Sequence, residues 1–395
     1  MRPVILALGL AACLHAQAQT FADVFNKAWS RQPQARAQSS REEELKANQA
    51  AASTLFAASP TVGLGHRTDQ FNRNAGSREY EVDVSVPIWL PGERAARQNL
   101  ATSDLSRFIA DQTYSRLQLA GELREAIWQI HFAESAKELA KLRLDSAKQI
   151  ESDVARRVKA GDLAKSDLLL AQGESLAAQG GLAEAERELQ QAKLAYKRLV
   201  GDEQLPTIEP EKAITNVAID SHPTILAWQH RLTIANAKEK LLAQTGRDNP
   251  EVSMGMRRER GDFTERYGNT VAVSVRIPFG SQVRNAPRIA AAKANAVEAE
   301  TEFERQKFEV EQSIQKARTD LDLAKQQSAW ADSRMSLASE NLQLIKKAFS
   351  LGERSLVEYQ RTQSAFNEAA LAASQAKSNL HRAYARLNQA MGVLP

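Results

Sequence analysis

The sequence predicts a mainly α chain with a small β part, built as a duplicated unit of long α-helical hairpins plus two-stranded β-hairpins. Three observations lead there. Two proline-free stretches of ~60 to 70 residues are dominated by Ala, Gln, Leu, Glu, Lys and Arg, the composition of long helices or coiled coils. Short segments alternate apolar and polar residues with period two, as half-buried strands do. The landmarks of the first half also recur in the second, in order and at a nearly constant offset.

The recurrence is read from prolines and glycines. Arg31-Gln32-Pro33-Gln34-Ala35 returns about 190 residues later as Ser221-His222-Pro223-Thr224-Ile225. Ala58-Ser59-Pro60 is matched by Asp248-Asn249-Pro250, and Val84-Ser85-Val86-Pro87 by Val275-Arg276-Ile277-Pro278. Lys159-Ala160-Gly161-Asp162 pairs with Ser350-Leu351-Gly352-Glu353, and Leu199-Val200-Gly201 with Ala390-Met391-Gly392. A tandem duplication accounts for all five. The division is then a first repeat over 19–201, a linker over 202–220 and a second repeat over 221–395. Pro206 and Pro210 keep the linker from continuing a helix.

Each repeat reads element by element. Thr20 to Ser59 has helical composition and is expected to form one helix that stops before Pro60. Two strands follow. Val62, Leu64 and His66 form the weaker pattern. Tyr80, Val82, Val84 and Val86 then alternate clearly with Glu81, Asp83 and Ser85. In the second repeat the corresponding residues are Val252, Met254 and Met256, then Val271, Val273, Val275 and Ile277. Polar connections bearing Gly and Asn, Arg67 to Arg78 and Arg257 to Asn269, make each pair a hairpin. Proline-free helix is expected from Gly92 to about Ala160 and from Arg288 to Leu351, at ~1.5 Å per residue some 90 to 100 Å long. Val310, Ile314, Ala317, Leu321 and Ala324 step by threes and fours, as in a coiled-coil seam. Gly161 and Gly352 each mark a turn into an antiparallel return helix.

The first eighteen residues read as an export leader. Arg2 is the charge, Pro3 to Leu10 the apolar run, and Ala16-Gln17-Ala18 the cleavage pattern. A second reading takes Leu10-Ala11-Ala12-Cys13 as a lipoprotein box that leaves Cys13 acylated; cleavage after Ala18 is favoured because the peptide before Cys13 is short. Cys13 has no second cysteine to pair with.

Basic and acidic residues, 52 against 48, are well mixed, which gives no footprint for nucleic acid. No nucleophile, phosphate-loop or metal-site motif appears, so the chain is read as a non-enzyme without cofactor. The six histidines are scattered.

Valines facing acidic and hydroxyl residues suit a sheet with lipid on one side and water on the other, or a soluble half-buried sheet. Tyr80 and Trp89 fit interfacial aromatics or ordinary packing. Four strands do not close a barrel, since outer-membrane barrels start at eight. In lipid an open edge costs several kcal/mol for each unpaired group, so several protomers must share one barrel. Three copies supply twelve strands.

At this point the sequence resembles the TolC family of outer-membrane efflux proteins, over essentially the whole chain after the leader. Gly161-Asp162-Leu163-Ala164-Lys165-Ser166-Asp167-Leu168 looks like the first hairpin tip of that family. Leu351-Gly352-Glu353-Arg354-Ser355-Leu356-Val357-Glu358 looks like the second. Tyr80 to Gly92 is similar to the strand-to-helix passage of the CzcC-like branch, whose members serve heavy-metal efflux pumps.

The resemblance implies a homotrimer with a 12-stranded barrel in outer-membrane lipid and an α-helical tunnel in the periplasm. It also implies a periplasmic adaptor and an inner-membrane pump of the RND type as partners. The turn residues Gly161, Asp162, Lys165, Ser166, Gly352 and Glu353 would meet the adaptor. Arg354 of the second tip would pair with Asp167 of the first. In the best-known member of that family two acidic residues just after the second tip narrow the entrance; their places fall on Glu358 and on Arg361, which carries the opposite charge and departs from the pattern. A periplasmic adaptor would also carry a long helical hairpin, but not strands and helices repeated twice. A purely structural coiled coil leaves the alternating strands without a reason. Metal, drug and protein export remain open among the duct's uses.

Overall fold

The computed structural model describes residues 20–206, 211–212, 214, 218–280 and 282–395. Residues 1–18, expected from the sequence to be a leader and including Cys13, lie outside the described residues, as does Pro210 of the expected linker. The order helix, β-hairpin, long helix, return helix appears twice along the chain.

The first stretch is two helices, α1 (Phe21–Ser30) and α2 (Pro33–Ala52), where one helix reaching Ser59 was expected. Pro33 explains the break: its ring disfavours helical backbone at Gln32 and opens α2 instead. Ser53 and Thr54 explain the early stop. Their hydroxyls donate back to the carbonyls of Ala50 (2.7 Å) and Ala51 (2.9 Å), while Trp89 Nε1 donates to the Thr54 carbonyl at 3.2 Å. α1 starts in a capping box. The Asp23 N–H donates to Thr20 Oγ1 (3.2 Å) and the Thr20 N–H to the Asp23 carboxylate (2.9 Å).

Strands β1 (Thr61–Thr68) and β2 (Arg78–Pro87) follow, then α3 (Glu93–Ala160) and α4 (Lys165–Val200). The second half opens with α5 (Pro223–Gln244), which has Pro223 in its first turn and His222 Nδ1 accepting from the Thr224 N–H. β3 (Glu251–Arg260), β4 (Gly268–Arg276), α6 (Gln282–Ser350) and α7 (Leu356–Ala390) complete the chain. α6 begins at Gln282, not after Pro287. So close to the helix start, the ring of Pro287 forfeits only one intrahelical bond. β3 also runs on to Arg260, past the expected loop start, because β2 offers a full ladder of partners down to Arg78.

The chain divides into two compact units. One comprises Met1–Gln32, Leu117–Thr215 and Gln315–Pro395; the other comprises Pro33–Arg116 and Asn216–Ile314. In the first, α1 buries Val24, Phe25 and Ala28 against Leu123, Ile127 and Ile130 of α3 and Leu189, Tyr196 and Val200 of α4. Full burial of such side chains contributes roughly 1.5–3 kcal/mol each. The second unit holds the sheet, ordered β1-β2-β3-β4 and antiparallel throughout. Among the described residues no helix is long and apolar enough to cross a membrane.

Candidate functional site

Two places carry the functional argument: the sheet in one unit and the helix-hairpin tips in the other.

The register sets Val62 opposite Val84, Val84 opposite Met254, and Met254 opposite Val273. Two residues along, Leu64, Val82, Met256 and Val271 form a second apolar row. Because the side-chain period is two, all of these lie on one face. That face is bare: Leu64 is 80% and Val273 67% exposed. The opposite face carries Glu81, Asp83, Ser85, Ser253, Arg257 and Ser274. There the charges pair off. Arg257 meets Glu79 (3.0 Å) and Glu81 (3.3 Å), and Arg276 meets Glu251 (2.9 Å). Tyr80 lies on the apolar face and stacks on His66, ring centroids 4.6 Å apart. β1 and β4 each have a partner strand on only one side.

At the strand-to-helix passage Glu93 is completely buried. Its carboxylate accepts from the Leu90 N–H (3.1 Å), Asn249 Nδ2 (2.6 Å) and Arg97 Nε (2.9 Å), while the Ile88 N–H donates to the Pro250 carbonyl at 2.7 Å. A buried carboxylate persists only when its lone pairs are satisfied in this way. Sequence reading passed over Glu93, although an acidic residue in the first turn of a helix is a signal for it.

Both hairpin tips have one backbone geometry. α3 ends on Gly161 (φ +88°) and α6 on Gly352 (φ +77°), the left-handed conformation that glycine adopts without a Cβ penalty. The Asp162 N–H reaches back to the Arg157 carbonyl and the Glu353 N–H to the Ala348 carbonyl, each at 2.9 Å. With Gly161 bonded to Val158 and Gly352 to Phe349, each tip forms a Schellman turn.

The return helices then start differently. At α7, Ser355 Oγ accepts from the Glu358 N–H (3.3 Å), and the Glu358 carboxylate pairs with Arg354 at 2.9 Å. At α4 the equivalent position is Ala164, with no side chain to cap. Asp167 accepts from the Ala164 N–H at 3.2 Å instead. Lys165 and Ser166 sit exposed in the first turn of α4, and Arg361 is exposed on α7. Among the described residues of this single chain, Arg354 and Asp167 do not form an ion pair.

What joins the tips is a group that the sequence did not single out. The Arg157 guanidinium donates to the carbonyls of Phe349 (3.3 Å) and Ser350 (3.5 Å), lies over the Phe349 ring at 4.9 Å and pairs with Asp153 at 3.3 Å. The last carbonyls of α6 therefore find a cation from the other hairpin. Beneath it Ile150, Val154, Ala171, Phe349, Leu356 and Tyr359 form a core, with Phe349 stacked on Tyr359 at 5.2 Å. Burial, reinforced by the Asp153 charge, raises the Tyr359 hydroxyl pKa above its ordinary value. Arg157 in the last turn of α3 was a legible helix-end signal; its carbonyl partners, far along the chain, were not.

The profile of the family described as "Outer membrane efflux protein" matches residues 10–202 and 214–393. The chain belongs to this family of outer-membrane efflux channels. A curated relative, the "Cobalt-zinc-cadmium resistance protein CzcC" of Cupriavidus metallidurans, is 26% identical over 244 residues. That match covers 58% of this chain and only 56% of the relative's length. Among solved structures, CusC superposes with a TM-score of 0.79 at 14% identity over 95% of this chain and 92% of that one. VceC of Vibrio cholerae gives 0.77 at 14% identity over 94% and 96%, and CmeC of Campylobacter jejuni 0.76 at 16% over 94% and 85%. At these identities the likeness is one of fold. For an outer-membrane efflux protein, the bare apolar face is the one that meets lipid, and the face with paired charges is the one that meets water.

Proposed function

We propose that the chain is one protomer of a trimeric outer-membrane duct, the passive exit of a tripartite efflux system. A periplasmic adaptor and an inner-membrane pump of the RND type deliver its substrates, which we take to be heavy-metal cations. The sheet carries this reading. Four strands with an exposed apolar face and two open edges are untenable in lipid alone, where each unpaired backbone group costs several kcal/mol. Three sheets joined edge to edge remove every edge and make twelve strands, an even number within the known range of barrels. Strands of 8 to 10 residues suit a tilted crossing of the hydrocarbon layer. The resemblance to CzcC supports metal cations as substrates. The duct performs no chemistry itself, and the pump supplies the energy.

The resting entrance, in this proposal, is held at the hairpin tips, with Arg354 and Asp167 as pairing partners and Glu358 and Arg361 on the wall. Turn residues Gly161, Asp162, Lys165, Ser166, Gly352 and Glu353 face the adaptor.

Light scattering of the protein extracted in mild detergent, corrected for bound detergent, should give the mass of a trimer from outer-membrane fractions. A stable soluble monomer would end the duct reading. A deletion strain should become sensitive to cobalt, zinc and cadmium. Sensitivity to drugs alone, or loss of a secreted protein, would reassign the substrate and leave the duct intact.

A further inference from the structure

The arginines of the sheet divide by face. On the polar face Arg67, Arg257 and Arg276 each have a carboxylate within 3.0 Å. On the apolar face Arg78, Arg258 and Arg260, at the hairpin-loop end, have none within ion-pair distance among the described residues. The register crowds them. Arg78 stands directly opposite Arg260, and Arg258 lies opposite Tyr80 on the same strand as Arg260. Like charges facing each other across a ladder are destabilising unless something neutralises them.

Their side chains converge further on aromatic rings. Arg258 lies 4.8 Å and Arg260 4.9 Å from the Tyr267 ring, and Arg260 is also 5.3 Å from Phe263. Two guanidiniums thus share one ring. Arg260 Nε donates to the Gly76 carbonyl at 3.0 Å, whereas Arg78 Nε is buried without a hydrogen-bond partner among the described residues. Asp262 in the β3–β4 loop feels the charge of Arg260 but forms no ion pair with it, and its Oδ1 is occupied by the Thr264 and Glu265 N–H groups and the Thr264 hydroxyl.

Below this cluster runs an apolar groove of about 490 Å³, lined by Tyr80, Val82, Met254, Met256 and Val271 with Arg258 at one end. An apolar trough that ends at guanidiniums without an ion-pair partner among the described residues matches the chemistry of an anionic lipid: chains below, phosphate above. In the duct reading, on which this inference rests, the hairpin loops face the cell exterior. We propose that Arg78, Arg258 and Arg260 form a binding site for the phosphate groups of outer-leaflet lipid A, with acyl chains lying along Met254 and Met256.

The test uses the purified detergent-solubilised assembly and fluorescent bisphosphorylated lipid A, with a dephosphorylated analogue and free inorganic phosphate as further arms. Wild type should prefer the bisphosphorylated form, and free phosphate should compete only weakly. Arg258→Gln with Arg260→Gln should weaken binding roughly tenfold for each charge-assisted hydrogen bond removed, whereas Arg257→Gln on the polar face should leave it unchanged. Arg258→Lys, which keeps the charge, should recover part of the affinity even if the double variant assembles poorly. Equal affinity for the two lipid forms, or an equal loss in Arg257→Gln, would overturn the proposal. Full competition by free phosphate would overturn it too, because the acyl groove would then contribute nothing. Light scattering on the same sample separates the two failures: a trimer without phosphate preference sinks this site alone, and a monomer sinks the duct.

Discussion

The two hairpin tips differ where their backbones agree. Each ends a long helix on a left-handed glycine and the same pair of reverse hydrogen bonds, at Gly161 and at Gly352. The first tip then enters α4 through an uncapped Ala164, while the second enters α7 through Ser355 with Glu358 held by Arg354. Aromatic packing is lopsided too, since Phe349 and Tyr359 both come from the second hairpin and Arg157 comes from the first. The shared geometry fixes where the chain turns. The unshared side chains decide which tip is firmer.

Removing the aromatic anchor should break the comparison most severely. Phe349→Ala takes a buried ring out of the tip core and should cost about 3–5 kcal/mol of local stability. Because the Arg157 guanidinium lies on that ring and on its carbonyl, amide exchange should accelerate at the end of α3 as well as in α6. Faster exchange confined to the second hairpin would show that the tips are independent.

The glycines come next, and here the tips should behave alike. Alanine at Gly161 or Gly352 has room for its methyl group, since among the described residues no atom beyond the adjoining ones in the chain lies within 4 Å of where a Cβ would stand, so only the left-handed backbone is penalised. Each substitution should cost about 1–2 kcal/mol, read as earlier proteolysis at the tip. A large difference between the two would mean that one tip is strained by contacts that the single chain does not contain.

Capping should then separate them. Ser355→Ala ought to lose about 1 kcal/mol at the start of α7, and Ala164→Ser ought to add a comparable amount at the start of α4. Amide protection in the first turn of each helix is the measurement. No gain at Ala164→Ser would show that a hydroxyl at this position does not reach the first-turn N–H groups, since Asp167 holds only the N–H of residue 164.

How much of this could be read in advance follows from which interactions are local. Gly161 and Gly352, the proline-free runs of α3 and α6 and the alternation of Tyr80 to Val86 declare themselves within a few residues, because turn geometry and side-chain period are short-range properties. The break at Pro33 was equally local, and only the helical composition on both sides hid it. The stop at Ala52 depends partly on Trp89 and Arg94 donating to Thr54 and Ser53, partners 35 and 41 residues away. Glu93 with Asn249 and Arg157 with Phe349 span more than 150 residues, and no periodicity encodes such meetings. The resemblance placed Arg354, Asp167, Glu358 and Arg361 on the tips, but it could not show that Arg354 already has Glu358 as a neighbour.

That neighbour makes the smallest and sharpest prediction. Arg354 and Glu358 are four residues apart, half exposed and 2.9 Å from each other. If Arg354 also holds Asp167 in the resting assembly, Glu358 competes for the same guanidinium. Arg354→Ala and Asp167→Ala should both raise single-channel conductance in planar bilayers, because each removes the closing pair. Glu358→Gln should do the reverse, since it frees Arg354 for Asp167. An exposed pair contributes only about 0–1 kcal/mol, so each change should alter the closed-to-open ratio at most about fivefold at low salt and fade as screening grows. The charge-swapped pair, Arg354→Asp with Asp167→Arg, should recover part of the closure. It should also lose its sensitivity to Glu358→Gln, because an aspartate at position 354 has no attraction for Glu358. Higher conductance in Glu358→Gln would place Glu358 on the closing side of the gate, and unchanged conductance in both single alanine variants would remove Arg354 and Asp167 from it.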